Sequence, residues 1–383
     1  MVSRAERTPF GEWWWTVDKP MFAALATLML GGIVLSLAAS PPVAARLGLD
    51  AFYFVNRHVL FLLPAMAVML GTSFLSPLQI RRLALIVFAI SLALVAVTLV
   101  FGAEIKGARR WIVLLGINIQ PSEFLKPSFV ILIALLFGES ARRPEMPANS
   151  MALALLLVVV TLLVMQPDFG QTMLILLVWG ALFFMAGMRL IWMVGLGGAS
   201  VVGLVGAYYT VPHVAQRIQR FLDPGSGDSF QITTAVGSFM RGGWFGQGPG
   251  EGTVKRILPD SHTDFVFAVG AEEFGIVLCL MLVALFAFIV IRALRHAMVS
   301  EDAFSRFAAA GLAILFGLQS AINMSVNLHL MPAKGMTLPF ISYGGSSMIS
   351  LAYAMGMVLA LTRERPRAEM LANHGYVPAG SSA

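Results

Sequence analysis

Ten stretches of this chain carry no Asp, Glu, Lys or Arg: 20–45, 58–80, 83–103, 127–138 with a helical lead-in from Pro121, 146–167, 169–188, 190–216, 274–291, 307–333 and 335–362. Most have the length a helix needs, ~20 apolar residues, to cross ~30 Å of hydrocarbon. Inside a bilayer every backbone N–H and C=O must be satisfied within the protein, so the choice is helix or closed barrel. The runs are Leu, Val, Ala and Met without strict alternation, which argues against a barrel. Composition agrees, with 58% hydrophobic and only 12% charged residues where a soluble domain carries about 25%. The expected fold class is all-α: a polytopic membrane protein of about ten transmembrane helices, the fourth starting with Glu123 and Lys126 inside its first turns.

An even number of spans puts both termini on one side. Fourteen of the 26 Lys and Arg residues fall on that side and twelve on the other. Eight of the twelve sit in two stretches, 106–110 and 217–256, and long loops translocate largely regardless of charge. The expected organisation is a cytoplasmic N-terminus (1–19), a ten-helix membrane domain (20–363) with a large loop on the opposite face (213–265), and a cytoplasmic tail (364–383). Basic residues clustered outside call for an anionic partner there. The net charge of +6 is mostly made of short-loop topology signals, so a nucleic-acid partner is not expected. The lone Cys279 supports neither a disulfide framework nor a thiolate metal site. Trp13, Trp14 and Trp15 ahead of Lys19 read as an interfacial anchor.

The longest stretch that is neither apolar nor terminal is 241–275, RGGWFGQGPGEGTVKRILPDSHTDFVFAVGAEEFG. Its six glycines between 242 and 252 would let backbone N–H groups approach an anion, or form a flexible lip. Trp244, Lys255, Asp260, His262, Thr263 and Asp264 follow, then Glu272 and Glu273 deeper in the next span. Ser261 and Asp264 have capping-box spacing, which would make Asp264 a helix-start residue. The functional alternative is a carboxylate at the membrane surface, kept ionised by the helix N-terminus and able to accept a proton from a sugar hydroxyl.

Three further places carry charge at a membrane boundary. Residues 102–126 hold Lys106, Arg109, Arg110 and Trp111, then Pro121-Ser122-Glu123 opening a helix with Lys126 on the same face. Arg clamps phosphate oxygens through its planar fork of donors, so a phosphate-bearing ligand suits this cluster. Asp168, in the turn Gln166-Pro167-Asp168-Phe169-Gly170, is either a helix cap or a functional acid. The loop HLMPAKGMTLPFISYGGSS contributes Lys334 and Ser342, and its Gly/Ser cluster reads as close helix packing.

The motifs GARRW, QPSEFLK, QPDFGQ, LPDSHTDFVFAVGAEEFG and LPFISYGGSS together resemble the SEDS (shape, elongation, division and sporulation) family, from about residue 20 to 363. The segment MPAKGMT is more similar to the division-type than to the elongation-type branch. The resemblance implies a ten-helix bacterial inner-membrane enzyme that polymerises lipid II, a disaccharide-peptide on undecaprenyl pyrophosphate, with a class B penicillin-binding transpeptidase as partner. It implies Asp264 as the catalytic carboxylate, with Lys106, Arg109, Glu123, Lys126 and Asp168 lining the same site, and inversion in a single displacement. Asp260 stands where the family more often has Glu, keeping the charge but shortening its reach. No cofactor is implied, and whether a divalent cation, Mg or Mn, shares the pyrophosphate charge is left open. Two rival readings are a lipid II flippase and a non-catalytic scaffold. Against the flippase, the chain shows no internal repeat and no pair of interrupted helices in matching positions.

Overall fold

The computed structural model of the chain describes residues 8–105, 108–114, 116–143, 145–210, 215, 219, 230–332 and 335–364. Lys106, Lys334, the segment around Leu222 and the tail from 365 lie outside the described residues.

Helix starts fall where a short polar residue or Pro precedes an apolar run. Thr8 caps α1 (Pro9–Thr16), and Asp18 caps α2 (Lys19–Arg46). Then follow α3 (Tyr53–Ser73) and α4 (Pro77–Phe101), the latter opened by a full capping box between Ser76 and Gln79. The chain continues through α5 (Pro121–Arg142), α6 (Ala148–Met165), α7 (Phe169–Met185, capped by Asp168) and α8 (Leu190–Thr210). After α9 (Phe230–Gly242) come α10 (Val266–Val299), α11 (Ala303–Asn327, capped by Asp302) and α12 (Gly345–Leu361). Seven of these, α2 to α6, α10 and α11, are long and apolar enough to cross a membrane, and α7, α8 and α12 contain shorter apolar stretches. The chain is a mostly helical, multi-pass membrane protein, and the ten expected runs each meet one of these helices.

The helices are not equivalent. The spanning windows of α5 and α11 are 83% and 78% buried, against 28–50% in the other five long helices. These two form the centre of the bundle, and a central helix can carry polar side chains only if they meet one another. Around them, α3 and α12 cross closely at Gly356, where a Cβ would lie 1.8 Å from Thr72 Oγ1. In the Gly/Ser cluster itself, a Cβ on Gly345 would lie 2.8 Å from the Phe61 ring of α3, a close packing contact.

Between α4 and α5 lies a small antiparallel meander, β1 (Ala103–Ile105), β2 (Ala108–Leu114) and β3 (Ile117–Ile119), which the sequence reading did not anticipate. The register sets Glu104 opposite Arg109, and their side chains approach to 3.5 Å.

At one end of the bundle, Asp18 accepts from Arg292 Nε at 2.7 Å and lies 2.6 Å from His296 Nε2. Arg363 Nε donates to Thr16 Oγ1 at 2.9 Å. Trp13 is buried, donating to Ser73 Oγ at 2.8 Å, whereas Trp14 and Trp15 stay outside with Lys19 Nζ over both rings. The aromatic anchor is therefore one core residue and two surface ones.

The glycine stretch corrects its sequence reading. Helix α10 is broken at Gly275 (φ 80°, ψ −179°), a backbone region essentially reserved for glycine. The break parts the helical pairs that Ile276 and Val277 would make with Glu272 and Glu273. Residues 243–248 splice into the gap: Gln247 and Gly248 N–H donate to the Glu272 and Glu273 carbonyls at 2.9 and 3.0 Å. Ile276 and Val277 N–H donate to Gly243 and Trp244 carbonyls at 2.9 and 3.2 Å. A Cβ on Gly275 would fall 2.3 Å from Trp244 O. The stretch is a backbone splice, not a flexible lip. Gly275→Ala is expected to lower stability by roughly 2–6 kcal/mol, from ~1–3 of backbone strain and ~1–3 of forced displacement. An unchanged thermal midpoint in detergent would rule this account out.

Candidate active site

The boundary residues singled out by charge converge on the inner helices. Arg110, on β2, donates from Nε to Gln166 O at 3.0 Å and also to Pro167 O, and its guanidinium lies 3.6 Å from Asp168 Oδ1. Asp168 accepts from the Gln171 N–H at 3.4 Å and from Gln120 Nε2 at 3.3 Å. It is thus a helix cap, as one of the two sequence readings has it, and an ion-pair partner as well. Gln171 then donates to Glu123 Oε1 at 2.7 Å, and Glu123 Oε2 meets Lys126 Nζ at 3.0 Å. Lys126 reaches across to α11, donating to Gln319 Oε1 at 3.1 Å, and Gln319 Nε2 donates to Thr337 O at 3.2 Å. Every side chain in this chain of contacts except Arg110 and Thr337 is at least nine-tenths buried. Burying ions costs several kcal/mol each unless they are paired and hydrogen-bonded, as these are.

Asp168 lies in the turn between α6 and α7, outside the spans. Burial pushes its carboxyl above the ordinary range, and the Arg110 guanidinium is the largest influence pulling it back.

Asp264 occupies a turn just before α10. The carbonyl of Asp260, a residue at φ 51°, accepts the N–H groups of Thr263, Asp264 and Phe265 at 3.1, 3.1 and 3.3 Å. The helix itself begins at Val266 with Phe265 as its cap, and Ser261 Oγ donates to Ala39 O at 3.5 Å. The capping-box reading of Ser261 and Asp264 is therefore wrong: the tight turn around Asp260 places Asp264 ahead of the helix. Asp264 lines a cavity of about 30 Å³ with Gln231, Phe265, Asn323, Val326, Gly335 and Met336, and it is the only titratable side chain among them. The loop closing this cavity continues to Thr337, the end of the polar chain from Arg110.

Other expected residues take structural posts. Glu272 is fully buried and accepts three loop N–H groups, from Thr253 at 2.6 Å, Val254 at 2.7 Å and Lys255 at 3.1 Å. Lys255 is buried and paired to Glu273. Both were expected to face a ligand; instead they fasten the loop to α10, because lone charges at this depth need partners. Arg109 pairs with Glu104 with both half exposed, Trp111 is half-buried, and Trp244 is exposed. His262 packs its ring 4.5 Å from Phe54 and 5.6 Å from Tyr343. Thr263 Oγ1 donates to Asp260 O at 3.1 Å, and buried Ser342 accepts from the Leu338 N–H at 2.8 Å. Lys106 and Lys334 are outside the described residues.

Sequence reading missed the amides. Gln120 and Gln171 bracket Asp168 and Glu123, and Gln319, Asn323 and Asn327 stand at i, i+4 and i+8 on one buried stripe of α11. The signal was available: three carboxamides at helical spacing in an otherwise apolar span. Among the described residues no three His, Cys, Asp or Glu side chains gather as a metal-ligand set.

A family model described as cell cycle protein, covering FtsW, RodA and SpoVE, matches residues 18–367. The probable peptidoglycan glycosyltransferase FtsW of Caulobacter vibrioides (strain NA1000 / CB15N) is 46% identical over 367 residues, covering 96% of this chain and 94% of that protein. The protein of the same description from Trichlorobacter lovleyi is 36% identical, covering 90% and 93%. Among solved structures, a chain of a peptidoglycan synthase complex coordinating polymerization and crosslinking superposes with a TM-score of 0.76 at 28% identity, covering 91% of this chain and 98% of that one. The rod shape determining protein RodA of Thermus thermophilus gives 0.68 at 28%, covering 92% and 99%. Matched along nearly its whole length in sequence and in fold, the chain belongs to the SEDS family of FtsW/RodA/SpoVE cell cycle proteins.

Proposed function

We propose that this protein is a peptidoglycan glycosyltransferase of the division type, polymerising lipid II at the outer face of the bacterial inner membrane. The observation that carries this reading is Asp264, a carboxylate held in a tight turn on a cavity wall, close in the fold to a buried network of paired charges that includes Arg110 and Lys126. Relatives named FtsW support the division role, and the synthase complex supports a crosslinking partner, for which we take a class B penicillin-binding transpeptidase.

In this reading Asp264 accepts the proton of a sugar C4 hydroxyl. The hydroxyl oxygen forms a bond to the anomeric carbon of a second lipid II as the bond to the pyrophosphate oxygen breaks, inverting that centre. The departing pyrophosphate takes the electron pair, and cations of the Arg110 side, with Lys106 and Lys334, stabilise it. The cavity of about 30 Å³ has room for about one water, so a sugar enters only after a wall moves. Helix α8, whose apolar side chains are largely exposed, leaves a flank open to lipid for the carrier tail. Both termini face the cytoplasm, ten crossings are made, and 213–265 faces outward.

The test is reconstitution of the purified protein in liposomes with lipid II, with and without the transpeptidase. Glycan polymer is expected. Lipid II crossing the bilayer without polymer would replace this reading with a flippase, and a reporter at Ser226 reading as cytoplasmic would overturn the orientation. The same assay carries a pH prediction. Removing Arg110 takes away the largest influence lowering the Asp168 carboxyl, so Arg110→Gln raises it further. Asp168 then loses its charge at a higher pH on acidification, and the acid limb of the rate profile should move to higher pH. An unmoved limb would dissociate Asp168 ionisation from activity.

A further inference from the structure

Two carboxamides of α11 hold the backbone of Asp264 from below. Asn323 Nδ2 donates to Asp264 O at 3.0 Å and to Met336 O at 2.6 Å. Asn327 Nδ2 donates to the same Asp264 carbonyl at 2.9 Å and to Asn323 O at 2.9 Å. The Asn327 oxygen accepts the Ala268 N–H, in the first turn of α10, at 3.1 Å. Asn323 is 2% exposed and Asn327 fully buried. Each amide nitrogen has two hydrogens and at least two acceptors here, Asn327 Nδ2 lying also 3.4 Å from Asn323 Oδ1, so neither side chain has donors to spare.

The arrangement fixes Asp264 at both ends of its residue. Its N–H is tied to Asp260 O at 3.1 Å, and its C=O is gripped by two amides. With both backbone groups committed, the direction of its Cα–Cβ bond is set. The same Asn323 amide also holds Met336, one residue past Gly335, whose hypothetical Cβ would lie 3.9 Å from Asp264 Oδ2. One helix stripe therefore sets both the carboxylate and the loop opposite it. Four residues earlier, Gln319 joins Lys126 to Thr337, so the stripe is a common rail for both halves of the site.

The structure assigns Asn323 and Asn327 as positioning residues for the Asp264 carboxylate. The inference rests on the reading of Asp264 as the base. Misplacement of a reacting group by about 1 Å costs on the order of 100-fold in rate, and the effect falls on turnover more than on substrate capture.

The experiment measures kcat and KM for lipid II polymerisation per folded molecule, with the full-length protein and its transpeptidase partner. Asn327→Leu is similar in volume and donates nothing; it is expected to lower kcat at least about tenfold with KM changed less than about twofold. Asn327→Gln, which keeps the donor, should recover part of the loss. A merely structural role would lower the folded yield and leave kcat per folded molecule intact, and that result would overturn the inference, as would a rise in KM with kcat unchanged. If Asn327→Leu gives no folded protein, Asn323→Ser is judged by the same criteria. Asp264→Asn is run in parallel: full activity there removes the reading of the base itself. An inactive Asp264→Asn beside wild-type behaviour of the asparagine variants removes only the positioning role.

Discussion

Asp264→Asn is expected to reduce glycan polymerisation by about a hundred- to ten-thousand-fold, the range by which a positioned general base accelerates a reaction. That corresponds to about 2.7–5.5 kcal/mol of lost transition-state stabilisation. The substitution is close to isosteric. The turn is held through its own main-chain groups, by Asp260 O on one side and by the side-chain amides of Asn323 and Asn327 on the other, so the amide should sit where the carboxylate sat. Folded yield and thermal midpoint should stay near wild type, and lipid II should still bind, because the cations proposed to meet pyrophosphate are untouched. The measurement is polymer length and rate from lipid II with purified variant. Wild-type rates from the Asn variant would remove Asp264 from the chemistry.

Lys126→Met should have the second largest effect, and on stability first. It leaves Glu123, 4% exposed, without its 3.0 Å partner, and Gln319 without a donor. Breaking a buried pair from one side costs about 3–5 kcal/mol, a large part of the ~5–15 kcal/mol that keeps a typical protein folded. Adding Glu123→Gln removes the stranded charge while keeping an oxygen for Gln171 Nε2, so the double variant should regain most of the lost thermal midpoint. Activity should not return with it if the Lys126 charge serves the substrate. A double variant no more stable than Lys126→Met would contradict the ion-pair account.

How much of this was legible in the sequence depended on the length scale of the signal. Ten apolar runs are a signal of twenty residues each, and the helices fell on them. Helix caps at Asp18, Ser76, Asp168 and Asp302 are local chemistry, and Asp168 directly precedes an apolar run. Ser261 and Asp264 failed as a cap because Asp260 at positive φ turns the chain one residue too early for that spacing. The fates of Glu272 and Lys255 were not legible, since their partners come from loop backbone 17–19 residues away in sequence and from the neighbouring glutamate. The meander escaped because two of its three strands have only three residues and carry almost no periodicity. The amides on α11 were legible and overlooked: attention went to charges, and the groups that connect those charges are neutral.

The splice at Gly275 bears on how freely the segment 243–248 can move. Lifting residues 243–248 away would strand four main-chain groups of a membrane helix, at about 1–3 kcal/mol for each one left without a partner. Such a segment opens only in rare excursions comparable to global unfolding, and its amides at Ile276 and Val277 should exchange hydrogen as slowly as those of an unbroken helix.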